Sequence, residues 1–201
     1  TSRPWTLRRA LTTKQFWLFG FSLFLSNFTI TSVLTHHVAF FIDQGLKALF
    51  ASYIAGMIGI VSIVGKILWG VLSDKIGREI TYTAGTVCSV CGMILLIAFT
   101  VLPNTYIPYF YAISFGLGYA VVTALPPLIA ADFFEGKAYG SIFGVLFMFI
   151  CVGGACGAWF TGFLYDQVRS YVPTFIILIA CTLCALVNLS LIHISEPTRP
   201  Y

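Results

Sequence analysis

Six long apolar runs constrain this chain more than any single motif: residues 16–42, 49–72, 81–101, 107–131, 139–164 and 172 to about 192. Each approaches or exceeds the roughly 20 residues a helix needs to cross the hydrocarbon core of a bilayer. The 201 residues are 59% hydrophobic and 9% charged. A soluble domain carries about 25% charged residues, so a soluble globule is excluded, and six runs cannot be one cleaved leader. Backbone groups in lipid must pair internally, and runs of this length without alternation exclude a β-barrel. The sequence therefore predicts an all-α membrane protein with six transmembrane helices.

Basic residues set the expected orientation. Arg3, Arg8, Arg9, Lys14, Lys75, Arg78, Lys137 and Arg199 fall on one side of a six-span arrangement, against Lys47 and Arg169 on the other. By the positive-inside rule the first side is cytoplasmic, together with both ends of the chain; which membrane holds it is open. The net charge of +4 is spread over span ends and forms no patch, which argues against a nucleic-acid partner. Residues 1–15 read as a basic cytoplasmic lead-in without an initiator Met, as if continuing a longer chain, and 16–192 as the bundle. Residues 193–201 leave the apolar pattern, resemble a vector-derived tail and are set aside.

The connections are too short for a soluble catalytic domain. Cys88 and Cys91, and Cys181 and Cys184, have Cys-x-x-Cys spacing, but all lie inside uncharged spans where thiolates are costly. They read as apolar filler, with no metal and no cofactor. No nucleophile triad or phosphate loop is present, so the chain reads as a non-enzyme. An enzyme built on His36, His37 and Asp43 would lack further ligands.

Polar residues inside the spans are the candidate site. Ser22, Ser26, Thr29, Ser32 and His36 share one face of the first span, and Ser52, Gly56, Gly59, Ser62 and Lys66 one face of the second. Tyr119 and Thr123 add a pair on the fourth. Lipid gives such stripes no reward, so they are expected to line an aqueous cavity or a helix contact. Lys66 is the one formal charge within a span. It either binds an anion or, about 9 Å from the inner end, snorkels to the interface. His36 or His37 could exchange protons, or anchor at the interface. Asp132 and Glu135 read as carboxylates that cap or pair helix ends.

Between the second and third spans lies Gly70-Val-Leu-Ser-Asp74-Lys-Ile-Gly77-Arg78. Gly70 would allow close helix approach and Gly77 a turn, while Asp74 could accept from backbone amides or from Arg78. Gly136, Gly140 and Gly144 recur every four residues as a further packing stripe, and Pro126-Pro127 would break the fourth span's hydrogen-bond ladder near its inner end.

The Gly70 to Arg78 segment resembles the Gly-x-Leu-x-Asp-x-x-Gly-Arg signature of the major facilitator superfamily. The stretch Ala131-Asp132-Phe-Phe-Glu135-Gly136-Lys137-Ala-Tyr139-Gly140, with Gly144, and then Gly153-Gly154-Ala155-Cys156-Gly157-Ala158-Trp159, Gly162, Asp166 and Ser170-Tyr171, is similar to spans ten and eleven of its monocarboxylate-transporter-like and oxalate/formate-antiporter-like branch. Ala158 stands where that branch usually has proline, and Val168-Arg169 replaces a common glycine-containing turn. The resemblance implies a C-terminal six-helix half made of two inverted three-helix repeats, packed against a missing N-terminal half. It implies secondary transport by alternating access of a small organic anion, a carboxylate, with or without protons. Substrate binding would fall to Lys66, Ser62, Ser26, Thr29, His36, Tyr119 and Thr123, and gating to Gly70, Asp74, Gly77 and Arg78. Gly136, Gly140, Gly144, Gly153 and Gly157 would pack helices. The alternative is a six-span receptor or scaffold that binds a ligand without moving it.

Overall fold

The computed structural model describes residues 5–194, with side chains to Leu191. Arg3, Arg199 and most of the tail lie outside the described residues. Within them the chain forms helices and no strand: α1 Leu7–Leu11, α2 Lys14–Asp43, α3 Ala48–Ile76, α4 Arg78–Val101, α5 Ile107–Phe133, α6 Tyr139–Val168 and α7 Val172–Ile194. The last six are long and apolar enough to cross a membrane. At 1.5 Å per residue, the 30 residues of α2 span about 45 Å and project beyond the hydrocarbon core.

Local chemistry sets the boundaries. The Thr13 hydroxyl caps α2 by accepting from the Phe16 amide, which moves the helix start two residues ahead of the apolar run. Gly77 alone separates α3 from α4, at φ 92° and ψ 151°. This backbone conformation is open to glycine and strained for other residues, so the turn depends on that residue. Helix α6 ends on Arg169, the one non-glycine at positive φ (56°) among the described residues. Pro126 and Pro127 do not end α5, which continues to Phe133; the Tyr139 hydroxyl donates to the Pro127 carbonyl at 3.0 Å.

The six long helices form two three-helix units, α2 to α4 and α5 to α7. The first helix of each packs against the second and third helices of the other: α2 against α6 and α7, and α5 against α3 and α4. The pattern survives exchanging the two units, as two inverted repeats require. More than half of the spanning windows of α2 and α5 is buried (56% each), against 28% of those of α3 and α6. The first helices are thus the axis of the bundle, and α3 and α6 expose broad faces. The basic lead-in is partly folded: α1 buries Ala10, Trp5 meets Phe134 edge to face, and the Trp17 indole donates to the Leu11 carbonyl.

Candidate functional site

The polar stripe of α2 turns inward. Ser22 donates to the Ala185 carbonyl and Thr29 to the Leu178 carbonyl, both on α7, while Thr182 of α7 donates to Thr29. Ser26 shares a 3.0 Å hydrogen bond with the Tyr82 hydroxyl of α4, and Ser32 donates to the Phe28 carbonyl of its own helix. All four are buried. Of the two expectations for this stripe, cavity lining or a helix contact, Ser26 and Thr29 make the helix contact in this structure. Their hydroxyls join helices because a polar group in an apolar bundle needs a partner. Ser62 is likewise buried and donates to the Gly59 carbonyl, so it does not share the open face of α3.

His36 is half-buried, with Nε2 3.1 Å from the Ala158 carbonyl of α6, where a ring N–H donates. The other members of the proposed enzyme cluster point elsewhere. His37 bonds the Val33 carbonyl of its own helix, and Asp43 accepts from the Tyr165 hydroxyl. Asp43 and Tyr165 border a cavity of about 440 Å³ with Arg169 and Tyr171. There, burial first and then the Asp43 charge push the Tyr171 phenol up to about 12.

An open polar cluster remains on α3 and α5. The Lys66 ammonium is exposed and stands over the Tyr119 ring, 5.6 Å from its centroid, a cation–π contact. Tyr119 is half-buried, and Thr123, one turn further along α5, donates to the Tyr119 and Ala120 carbonyls. Two contacts fix α3 against α5 around this point. Gly65 lies so near Ala120 that an added Cβ would come within 2.8 Å of its methyl, and the Trp69 indole donates to the Leu117 carbonyl at 2.8 Å. Lys66 therefore leaves a pinned stretch of helix with its charge directed outward.

Sequence reasoning missed a second stripe on α2. Asn27, Thr31 and Thr35 follow one another at four-residue intervals on a different face, half-buried or exposed. Their available signal was that spacing, which the longer and more regular Ser22 to His36 stripe outweighed.

At the α3–α4 turn, Arg78 Nε lies 2.8 Å from Asp132 of α5, so the arginine joins the ends of α4 and α5 rather than meeting Asp74. Asp74 is exposed. Gly70 has no atom within 4 Å of an added Cβ, and the expected close approach is absent there among the described residues. Gly136 lies before α6 at φ 134°, off the helical stripe, and Gly140 and Gly144 also face open space. Gly153 and Gly157 instead press on α2, where a Cβ would collide with the Phe24 and Phe28 carbonyls.

Two inverted three-helix units with polar groups at their centre define half of a secondary-transporter fold. Residues 16–201 match the family described as Major Facilitator Superfamily, and the chain belongs to that family and is an integral multi-pass membrane protein. It is similar to an uncharacterized MFS-type transporter, YhjX, of Escherichia coli (strain K12), at 27% identity over 157 residues, covering 77% of this chain and 38% of that protein. It is also similar to the MFS transporter asaE of Aspergillus flavus, at 28% identity over 113 residues, covering 56% of this chain and 25% of that protein. The chain thus spans well under half the length of the curated relatives it matches.

Proposed function

We propose that this chain is the C-terminal half of a secondary transporter that moves a small organic anion, a carboxylate, by alternating access between two six-helix halves. The observation that carries the reading is Lys66. Its ammonium sits on the open face of α3 beside Tyr119, in a family whose relatives are named transporters. A charge uncovered on a spanning helix is costly against lipid and favourable against water and an anion. The ammonium acts as a point charge without the two-pronged geometry of arginine, so it attracts a carboxylate while leaving its orientation to Tyr119 and Thr123. Asn27, Thr31 and Thr35 of α2 extend the polar lining, and His36 borders it.

Gly70, Asp74, Gly77 and Arg78 form the gate at the cytoplasmic side. The exposed Asp74 meets the other half, and Arg78 with Asp132 ties α4 to α5 so that both move together. The exposed faces of α3 and α6, with Gly140 and Gly144, meet that half within the membrane. The monocarboxylate-like branch and the inside placement of both ends complete the reading.

The test is uptake of radiolabelled mono- and dicarboxylates by the full-length protein in proteoliposomes. Lys66→Ala is expected to cut uptake at least about tenfold, the value of one charge-assisted contact, with expression unchanged. Lys66→Arg is expected to retain it. Uptake by Lys66→Ala equal to that of the parent would overturn the binding role.

A further inference from the structure

The axis helices α2 and α5 meet at His37 and Tyr111, whose ring centroids are 6.1 Å apart. Both lie inside the bundle, His37 3% exposed and Tyr111 fully buried. Their surroundings are aromatic: Tyr111 packs on Phe41 and Phe115, and Phe41 on Phe99 of α4. Yet neither His37 Nε2 nor the Tyr111 hydroxyl finds a hydrogen-bond partner among the described residues. Two orphaned polar atoms in one apolar pocket are expensive unless they serve each other or a shared guest.

Their chemistry is complementary. His37 Nδ1 lies 3.0 Å from the Val33 carbonyl. A carbonyl only accepts, so Nδ1 carries the hydrogen and the neutral ring presents its lone pair at Nε2. The Tyr111 hydroxyl both donates and accepts, so it can face that nitrogen with either polarity.

We propose that His37 and Tyr111 form a proton-binding site inside the six-helix unit, with His37 Nε2 taking the proton and the Tyr111 oxygen receiving the resulting N–H through one bridging water. In the neutral state the phenol O–H donates to the bridging water, which donates to Nε2. Uptake of one proton from water forms the Nε2–H bond, leaves Nδ1–H on the Val33 carbonyl and turns the phenol from donor to acceptor. Release reverses each step.

The titratable groups on the helices around α2 leave this pair to itself. From α5 the facing group is Tyr111. Tyr82 of α4 is engaged by Ser26, more than two turns along α2, and Cys181 and Cys184 of α7 flank Thr182, which meets Thr29 two turns from His37, while Tyr165 of α6 holds Asp43 and Tyr171 stands near His36 on another face. Lys66 of α3 is held over Tyr119, eight residues from Tyr111 on α5, and Arg8 and Arg9 of α1 lie at the far end of α2. The proton therefore adds a charge between the two axis helices, where it bears directly on their contact.

The test is ¹⁵N-histidine NMR of the full-length protein in lipid nanodiscs, with the His37 signal assigned by its loss in His37→Gln. At high pH the expected form is the Nδ1–H tautomer. On acidification Nε2 should gain a proton while circular dichroism stays helical, and Tyr111→Phe should weaken that proton affinity about tenfold. An Nε2–H tautomer at high pH, no protonation before the bundle unfolds, or equal affinity in Tyr111→Phe would overturn the proposal. If Tyr111→Phe does not fold, the tautomer and titration of the unsubstituted protein decide. The readout needs no transported substrate, so its failure is distinct from failure of the transport reading.

Discussion

The first turns and the middle of α6 carry glycines at the same four-residue spacing and use them in opposite ways. Gly153 and Gly157 press against backbone carbonyls of α2, whereas Gly140 and Gly144 face open space. Helix α2 shows a similar division in polar residues: Ser22, Ser26 and Thr29 are sealed against α7 and α4, whereas Thr35 is exposed, Asn27 is half-buried and Thr31 borders Gly154 of α6. Spacing selects a helical face, but the partner that covers it is set by the rest of the bundle. A closed seam holds the six-helix unit together. An open strip is surface that the proposed reading assigns to water, substrate or a second six-helix half.

The largest expected effect lies on the closed side of this contrast. Gly157→Leu should drive a side chain into the Phe28 carbonyl and cost about 3 kcal/mol or more, enough to prevent recovery of folded protein, measured by thermal denaturation in detergent. Gly144→Leu in this chain alone should change stability by less than about 0.5 kcal/mol. If Gly144→Leu destabilises the full-length protein but not the chain alone, the open strip is covered by the other half. Equal effects of the two substitutions in this chain would erase the distinction.

Tyr82→Phe removes the hydroxyl that meets Ser26 across α4 and α2, and an interhelical hydrogen bond in a membrane bundle is worth about 0.6 kcal/mol. A loss near that size with a normal fold is expected, and a double cycle with Ser26→Ala should show the two losses to be coupled. The Arg78–Asp132 pair is partly exposed, 26% and 50%, so the coupling energy in an Arg78→Gln, Asp132→Asn cycle should stay under about 1 kcal/mol. A larger value would make that pair a main structural element rather than a link between helix ends.

Alkaline pH probes the end of the bundle that holds Tyr171. The Tyr171 phenol titrates near 10 when unfolded and about 12 when folded, so the fold favours its neutral form. Its contribution is complete below pH 10 and is lost as pH rises toward 12. Tyr171→Phe should flatten the stability profile in that window, followed by denaturation midpoints at successive pH values, and an unchanged profile would assign the alkaline loss elsewhere.

The spans were legible because apolar length is a local property of the sequence, and the Gly77 turn because one residue must adopt a conformation closed to others. The partners of polar groups were not. Whether Ser26 meets water or Tyr82 depends on a helix 56 residues away, and the periodicity of α2 is the same in either case. Arg78 is within reach of Asp74 along the chain, but the fold brings Asp132 closer. Lys66 stood out as a lone charge within a span, while its Tyr119 neighbour required the packing of α3 on α5.

The central claim, that the Lys66 face is open to water while the Ser26 face is a closed seam, is tested most directly by thiol accessibility. In a cysteine-free full-length protein in native membranes, single cysteines at 66 and 26 are exposed to a hydrophilic maleimide. The predicted result is rapid modification at 66, slowed by a transported carboxylate, and no modification at 26 until the protein is denatured. Modification at 26 with protection at 66 would contradict the account.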